Sequence, residues 1–389
     1  MIVHFTTVHP RDDSRIRSKQ VDTLAREFGG QVSLFVQDGL GDDTDAELGY
    51  RIVDTGPRLS RIRRMTLGAW RMIAAVRKAR PAVAHFHDPE LLPWALLLRL
   101  FGIQVVYDVH EDVPRQVSRN PSLPRWAQRT LSPIAGVVEW TCALFINGIA
   151  AASPTIAERF PKRKTILVRN FPLLDELHTP DSTPMDERPP EFTYVGTISE
   201  DRNIYRMIEA VSRVPGQKAR LRLAGKFSVQ EMQRRAEEMP GWACVKFEGW
   251  TSRDGVAKIL ADGRAGLVVL KPVPHEMQTL PIKLFEYMAA GMPVISSDFP
   301  IWREIVESAR CGLLIDPMDT DALVSAMQWI LENPQEAQAM GERGRKAVVE
   351  RFNWKHEALT LVKFYRQNLR IAAGSTSSAS SVVMENTKS

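Results

Sequence analysis

Near residue 280 the chain reads TLPIKLFEYMAAGMPVISS, Thr279 to Ser297, a helical pattern that runs straight into a buried-strand pattern. Pro281 in the first turn, Gly291 past the last and Pro293 beyond it frame one helix of about three turns. Lys283 and Glu286 stand one turn apart on the same edge. A helix N-terminus offers unbonded N–H groups and the positive end of its dipole to an anion. With Lys283 beside it, that end suits a diphosphate, and Glu286 slightly inward suits the hydroxyl pair of a ribose. A nucleotide-sugar carries both groups. The competing reading is an i,i+3 ion pair on a solvated face. It is weakened because the other faces are apolar, and a carboxylate there costs several kcal/mol unless it finds a partner.

Other residues add to this chemistry. In YVGTISEDRN, Gly196 ends a strand and allows close backbone approach, and Arg202 opens the next helix, where a guanidinium can clamp phosphate oxygens at two points. LAGK supplies Lys226, and FEGWTSRD supplies Gly249 and Trp250, against which a base can lie. In the first half, polar clusters follow strand-like runs in VHPRDDSR, HFHDPE and YDVHEDVPRQ. They offer His9, Arg15, His87, Asp88, His110 and Glu111. His110 has a side chain suited to proton exchange near neutrality; a histidine capping a strand end is the plainer alternative. His85 and His87 share one strand face, but no third ligand completes a metal site, and DVH is not an Asp-x-Asp motif. No metal or other cofactor is expected.

These residues need a scaffold that gathers strand ends. Strand-like runs alternate with helical patterns along the chain, the pattern of doubly wound parallel α/β sheets, and ligands of such sheets bind beyond the carboxyl ends of the strands. A chain of 389 residues suits two domains. The division expected is an N-terminal Rossmann-like domain over 1–172, a Pro- and acid-rich linker over 173–190, and a second Rossmann-like domain over 191–350. A final helix over 351–372 and a low-complexity, disordered tail over 373–389 follow. Three scattered cysteines without a CxxC argue for a reducing compartment and against a disulfide framework or a zinc site. No secretory signal is visible, and no apolar run reaches membrane-spanning length. The longest, IAGVVEWTCALFINGIAAAS, reads as a core helix feeding a strand.

The net charge of +5 is uneven: Thr55 to His87 holds eight basic residues and no acidic one. RLSRIRRMTLGAWRMIAAVRKAR interleaves Leu59, Ile62, Leu67, Trp70, Ile73 and Ala74 with arginines. One reading is a helix packed by its apolar face with solvated arginines; the other is docking on an anionic membrane surface, and both can hold. Nucleic acid is not expected as a partner, since aromatic stacking clusters and known motifs are missing.

Taken together, YVGTISEDRN, RLAGK, KFEGW and LPIKLFEYMAAGMPVISSDFPIWREIV resemble the donor domain of family 4 glycosyltransferases, which have the GT-B fold. TTVHPRDDSRI, FHDPELLP and YDVHEDVPRQ look like the acceptor domain of a subgroup that makes bacterial surface polysaccharides. The resemblance covers roughly residues 1 to 370. It implies a retaining, metal-independent transfer of a sugar from a nucleotide diphosphate, a closing interdomain cleft, and a final helix that crosses back to the first domain. It implies that Glu286 holds the ribose, that Arg202, Lys283 and Lys226 neutralise the diphosphate, and that His110 faces the donor sugar. It places Gly196, Gly249, Trp250, Gln278, Leu280, Pro281, Ile282 and Leu284 at the donor, and His9, Arg15, His87, Asp88 and Glu111 toward the acceptor or sugar. Two departures stand out. Gln278 replaces a second glutamate, and the Gly-Gly loop after the first strand is missing, so that Arg15 takes part of its work. The acceptor implied is a lipid-linked glycan, reached from the cytoplasmic, inner face of the plasma membrane. A nucleotide-sugar epimerase of similar build and a non-catalytic partner subunit are the alternatives.

Overall fold

The computed structural model describes residues 1–110, 112–118, 123–174, 176–177, 183–216, 219–273 and 276–372. The chain forms two compact units, Met1–Arg169 with the segment from Glu357, and Asn170–His356.

Unit 1 runs β1 (Ile2–Phe5), α1 (Asp22–Phe28), β2 (Val32–Val36), β3 (Asp43–Thr44), β4 (Arg51–Asp54), α2 (Arg61–Arg63), α3 (Ala69–Ala79) and β5 (Val83–Phe86). It continues with α4 (Leu92–Leu100), β6 (Gln104–Val109), α5 (Val113–Ser118), α6 (Arg125–Phe145), β7 (Gly148–Ala151), α7 (Pro154–Ala157) and β8 (Thr165–Leu167). The sheet order is β3-β4-β2-β1-β5-β6-β7-β8, parallel except for the β3–β4 pair at its edge. Strands β1, β2 and β5 are buried at every position, as expected of parallel strands covered on both faces. The steps β4 to β5, β5 to β6 and β6 to β7 all move across the sheet in one direction. Right-handed crossovers therefore put α3, α4 and α6 on one face and α1, whose step is reversed, on the other. Val3, Phe5, Phe86 and Tyr107 join the core beneath α3, α4 and α6. The alternating residues His4, His85 and Asp108 turn to the opposite face.

Unit 2 runs β9 (Glu191–Val195), α8 (Ile204–Arg213), β10 (Arg220–Ala224), α9 (Gln230–Glu237), β11 (Val245–Gly249), α10 (Arg253–Asp262) and β12 (Ala265–Val268). Then come α11 (Ile282–Ala289), β13 (Val294–Ser297), α12 (Pro300–Ala309), β14 (Gly312–Ile315), α13 (Thr320–Glu332) and α14 (Pro334–Glu350), and α15 (Trp354–Gln367) begins in unit 2 and passes into unit 1. Its all-parallel sheet has the order β11-β10-β9-β12-β13-β14. Both units are Rossmann-like, as the alternation of strand and helix patterns requires.

Two expectations are corrected. The boundary between units falls at Arg169/Asn170, not within 173–190. Leu177 and Met185, in the stretch read as a linker, are buried in unit 2 cores, and Arg188 donates to Gly263 O at 3.0 Å. The run from Ile134 does not form a core helix: along α6 only Ala127, Glu139 and Ala143 are buried. The tail expected over 373–389 lies outside the described residues.

From Glu357 onward α15 belongs to unit 1. Glu357 accepts from Arg169 N at 2.8 Å and Arg169 Nε at 2.9 Å, tying the two crossing points of the chain together. Tyr365 OH lies 2.7 Å from His85 Nδ1, and Phe364 lies over Gly148, where an added Cβ would come within 2.2 Å of its ring. Gly148→Ala should therefore destabilise the protein by about 1–3 kcal/mol through overpacking, read as a shift in the urea midpoint. An unshifted midpoint would mean that this helix is not seated on β7.

Candidate active site

Each unit gathers its own cluster of charged side chains at the carboxyl ends of its parallel strands. In unit 2 the cluster centres on Glu286, which is 6% exposed. Its helix α11 starts after Pro281, and no side chain caps it; Trp302 Nε1 donates to Thr279 O at 2.8 Å and fixes the approach. Leu284, Phe285, Tyr287 and Met288 bury the helix on both sides of the carboxylate. Lys283 Nζ lies 2.8 Å from Glu286 Oε2, and Arg253 Nη1 donates to Oε1 at 2.9 Å. Burial alone would raise the Glu286 pKa, but the charges of Lys283 and Arg253 outweigh it and hold the carboxyl at about 2. The i,i+3 pair read from the sequence exists, with a buried rather than a solvated carboxylate.

Beside this pair lie three strand-end glycines. Gly196 has φ +133°, and a Cβ there would stand 2.8 Å from Lys283 Cε. Gly225 has φ +141°, and a Cβ there would stand 1.8 Å from Gly196 O. Gly225 N donates to Gly249 O at 2.7 Å. Such backbones leave room for a ligand and expose their peptide groups to it. Arg202 ends a 3-10 turn, Glu200–Arg202, and its Nη1 stands 3.6 Å from Glu276 Oε2. Lys226 and Trp250 are exposed, and among the described residues no carboxylate pairs with Lys226. Leu280 is partly buried and Ile282 exposed. Leu284 is placed otherwise than expected: its side chain is fully buried, and its N–H is bonded to Pro281 O, so it packs the core and has nothing to offer a donor. The side chain of Gln278 lies outside the described residues.

Three participants escaped the sequence reading. Arg253 opens α10 behind its Ser252 cap, 33 residues from the carboxylate it holds. Gly225 lies in RLAGK, where its positive φ and its close approach to Gly196 O come from the packing of neighbouring strand ends. Glu276 places a carboxylate beside Arg202, two positions before Gln278.

In unit 1 the cluster centres on Asp108, which is fully buried. Arg15 grips it at two points, Nε to Oδ2 at 3.0 Å and Nη2 to Oδ1 at 2.6 Å, and also donates to Val168 O. His87 Nδ1 and His110 Nδ1 stand 3.0 and 3.1 Å from Oδ2. Burial opposes ionisation, yet Arg15 and the two imidazoles hold Asp108 well below the usual carboxylate range. Burial drives His87 down to about 3 against the pull of Asp108, so it is neutral and gives Asp108 its Nδ1 proton. Its Nε2 then accepts from His4 Nδ1 at 3.0 Å. Burial likewise keeps His4 and His85 neutral.

His110 continues the chain outward, its Nε2 3.2 Å from His9 Nε2, while His9 Nδ1 stands 3.3 Å from Asp13. Asp88 closes the loop after β1, accepting from Thr6 Oγ1 at 3.0 Å and Thr7 Oγ1 at 3.1 Å. His9, Arg15, His87, Asp88 and His110 thus form one connected network. Glu111 lies outside the described residues. His87, Asp108 and His110 stand close enough together to offer a metal three ligand atoms, but Arg15 occupies both oxygens of Asp108 and sets its own positive charge against a cation there.

Two Rossmann-like units, each with a polar cluster at its strand ends, are the parts of a GT-B architecture, and the comparisons with known proteins say which activity it serves. Residues 176–347 match the family profile "Glycosyl transferases group 1", and residues 19–160 match "Glycosyl transferase 4-like domain". The chain is similar to the MMP alpha-(1->4)-mannosyltransferase of Mycolicibacterium hassiacum, 31% identical over 124 residues, which are 31% of this chain and 29% of that protein. It is 23% identical over 336 residues to the glycogen synthase of Mycobacterium tuberculosis, covering 82% of this chain and 74% of the relative. The match thus spans under a third of the first relative's length and about three quarters of the second's. The sucrose-phosphate synthase of Thermosynechococcus elongatus superposes with a TM-score of 0.72 at 20% identity, over 94% of this chain and 98% of that one. The chain belongs to the family 4 glycosyltransferases.

Removing the charge of Asp108 should strand the Arg15 guanidinium and misdirect the His87 proton. Asp108→Asn is expected to destabilise the protein by about 3–5 kcal/mol in urea unfolding. A loss below about 1 kcal/mol would mean that the network is solvated and loosely held.

The buried histidines also set the acid limb of stability. Their folded pKa values lie below the unfolded value, so the unfolded chain binds more protons once pH falls below about 6.5. Stability should decline from about that pH, by up to about 4 kcal/mol per unit for three groups. Glu286 and Asp13, both held at about 2, carry the decline on below about pH 4.5. Urea midpoints that stay constant from neutrality down to the carboxylate range would refute neutral burial of His4, His85 and His87.

Proposed function

We propose that the protein transfers a sugar from a UDP- or GDP-sugar to a lipid-linked glycan, with retention at the anomeric carbon and without a bound metal. The observation that carries this reading is the buried, ion-paired Glu286, one helical turn from a Lys283 whose side chain lies against the positive-φ Gly196 that follows β9. Glu286 would release its cations to take the two ribose hydroxyls, and the diphosphate would lie over Gly196 with Lys283, Arg202 and Lys226 around it. As the bond from the anomeric carbon to the phosphate oxygen breaks, negative charge grows on the leaving diphosphate. Fixed cations placed there lower the barrier without reorganising. The acceptor oxygen attacks from the face that the diphosphate leaves, and its proton passes to the departing phosphate oxygen. No protein nucleophile enters this step. His110, held by Asp108 and His9, would orient the donor sugar, with Asp88 and Arg15 shaping the loop beside it.

The mannosyltransferase and glycogen synthase among the relatives support a hexosyl donor. The basic stretch from Arg58 to Arg80 supports a place on the inner face of the plasma membrane, where lipid-linked intermediates of lipopolysaccharide, capsule or exopolysaccharide are extended. Among the described residues, no helix is long and apolar enough to cross a membrane.

A thermal-shift panel of nucleotide-sugars tests the donor. One UDP- or GDP-sugar at about 100 times its Kd should stabilise the wild type by about 2.7 kcal/mol, and Glu286→Ala should lose that gain. A panel in which no nucleotide-sugar raises the melting temperature would overturn the reading.

A further inference from the structure

Helix α6 is amphipathic the wrong way round for a soluble protein. Its one carboxylate, Glu139, is buried, accepting from Tyr107 OH at 3.0 Å and paired with Arg159. Its bulky apolar side chains face outward: Trp126 is 71% exposed, Phe145 64%, Val137 64% and Ile134 55%. Trp140 and Val138 are about half exposed beside them. A shallow groove of about 340 Å³ with mostly apolar walls, including Pro133, Val137, Trp140 and Phe160, runs along the helix.

This face does not end at α6. Helix α4 packs against α6 on one side and α3 on the other, and all three cover the same face of the sheet. Arg99 Nε of α4 donates to Phe145 O at 3.1 Å, and Trp94 Nε1 of α4 donates to Met65 O at 3.0 Å. Exposed Leu100, Phe101, Ile62 and Trp70 extend the apolar surface across α4 toward the arginine-rich segment. Arg61, Arg63, Arg71, Arg125 and Arg129 are exposed around it, and among the described residues no carboxylate pairs with any of them. Arg64 is different: Glu90 holds it at two points, 2.6 and 2.9 Å, so it is a structural residue.

Resting on the reading of a lipid-linked acceptor, we propose that α6 is the membrane-inserting element, its outward face lying in the interfacial layer of an anionic bilayer. The arginines at its start and along the α2–α3 segment contact the lipid phosphates. The bilayer is favoured over a second copy of the chain by charge. Two such faces brought together would set arginine against arginine with no exposed acid on α2, α3, α4 or α6 between them, whereas anionic headgroups meet the arginines while acyl chains take the indole, valine and isoleucine side chains. An interfacial helix of this kind needs neither the length nor the uniform apolarity of a membrane span.

Vesicle flotation tests the assignment with three full-length proteins: wild type, Trp126→Gln/Ile134→Gln/Val138→Gln, and Arg61→Gln/Arg63→Gln/Arg71→Gln. All substituted side chains are exposed, so circular dichroism and melting temperature should match the wild type. On vesicles of equal phosphatidylglycerol and phosphatidylcholine, the apolar variant should bind at least about tenfold more weakly. The arginine variant should lose its preference for these vesicles over pure phosphatidylcholine. Flotation of the apolar variant equal to wild type would overturn the proposal, as would a wild type that binds neither vesicle. So would sedimentation velocity showing a wild-type dimer that the apolar variant dissolves. Nucleotide-sugar thermal shifts in solution should be equal in all three proteins, which separates failure here from failure of the donor reading.

Discussion

A carboxylate carried out of water must be met by charge or by hydrogen-bond donors, and that requirement organises both units. Asp108 is met by Arg15, His87 and His110, and Glu286 by Lys283 and Arg253. In each case the partners come from separate parts of the unit. Arg15 follows β1, His87 follows β5, and Asp108 and His110 end β6, so one buried charge fixes three strand ends relative to one another. Arg253 opens α10 while Lys283 opens α11, so Glu286 ties two helix starts together. The sheet supplies the geometry, since parallel strands end side by side and leave their loops in one place. The buried carboxylate then makes one arrangement of those loops much better than its neighbours.

The two clusters differ in what they leave for a ligand. Asp108 has both oxygens occupied, and its partner His87 is neutral and buried, so its network is a frame whose outer end, His110 and His9, is only partly covered. Glu286 is held by two side chains with flexible stems, one of which lies on a glycine that offers no Cβ to block a ligand. Lys283 can follow a diphosphate without leaving its helix, because its charge is useful to either anion. A buried ion pair contributes little net stability when desolvation is set against attraction, so exchanging one set of polar partners for another around Glu286 costs little. In the proposed reaction the free protein therefore keeps its donor site folded with internal cations, and the donor takes over contacts that already exist.

How far the sequence could be read follows from the range of each signal. Parallel strands were legible as strand-like runs alternating with helical patterns, and Lys283 with Glu286 was legible because their spacing within one helix fixes their separation. Arg253 was not, since nothing local marks a guanidinium that tertiary packing brings to a distant carboxylate. His4 passed unnoticed inside IVHF for a related reason. Its meaning comes from register, which sets it opposite His85 and within 3.0 Å of His87. The stretch 173–190 misled through composition: proline and acid dominate it, while two apolar anchors, Leu177 and Met185, decide where it goes. Composition averages over a segment, but burial is settled by single side chains.

Helix α6 marks a different boundary. Helical periodicity identifies an apolar side, and the usual inference that this side faces inward rests on water being the only surroundings. The run from Ile134 reads as a core helix feeding a strand; the helix and the strand are present, and the burial is not. What reverses the orientation is Glu139. Set among Ala135, Ala143 and other small or polar neighbours, it finds Tyr107 on β6 and Arg159 beyond β7, partners that only the sheet side can offer. Turning the apolar side inward would expose the carboxylate and strand Arg159, so the fold accepts a solvent-facing row of tryptophan, isoleucine and valine. A protein that never met a lipid surface would gain by replacing those residues with polar ones, at no cost to the Glu139 contacts. These residues lie on one side of α6, near arginines that no carboxylate pairs with among the described residues, and the proposed bilayer contact is what would make such a face favourable.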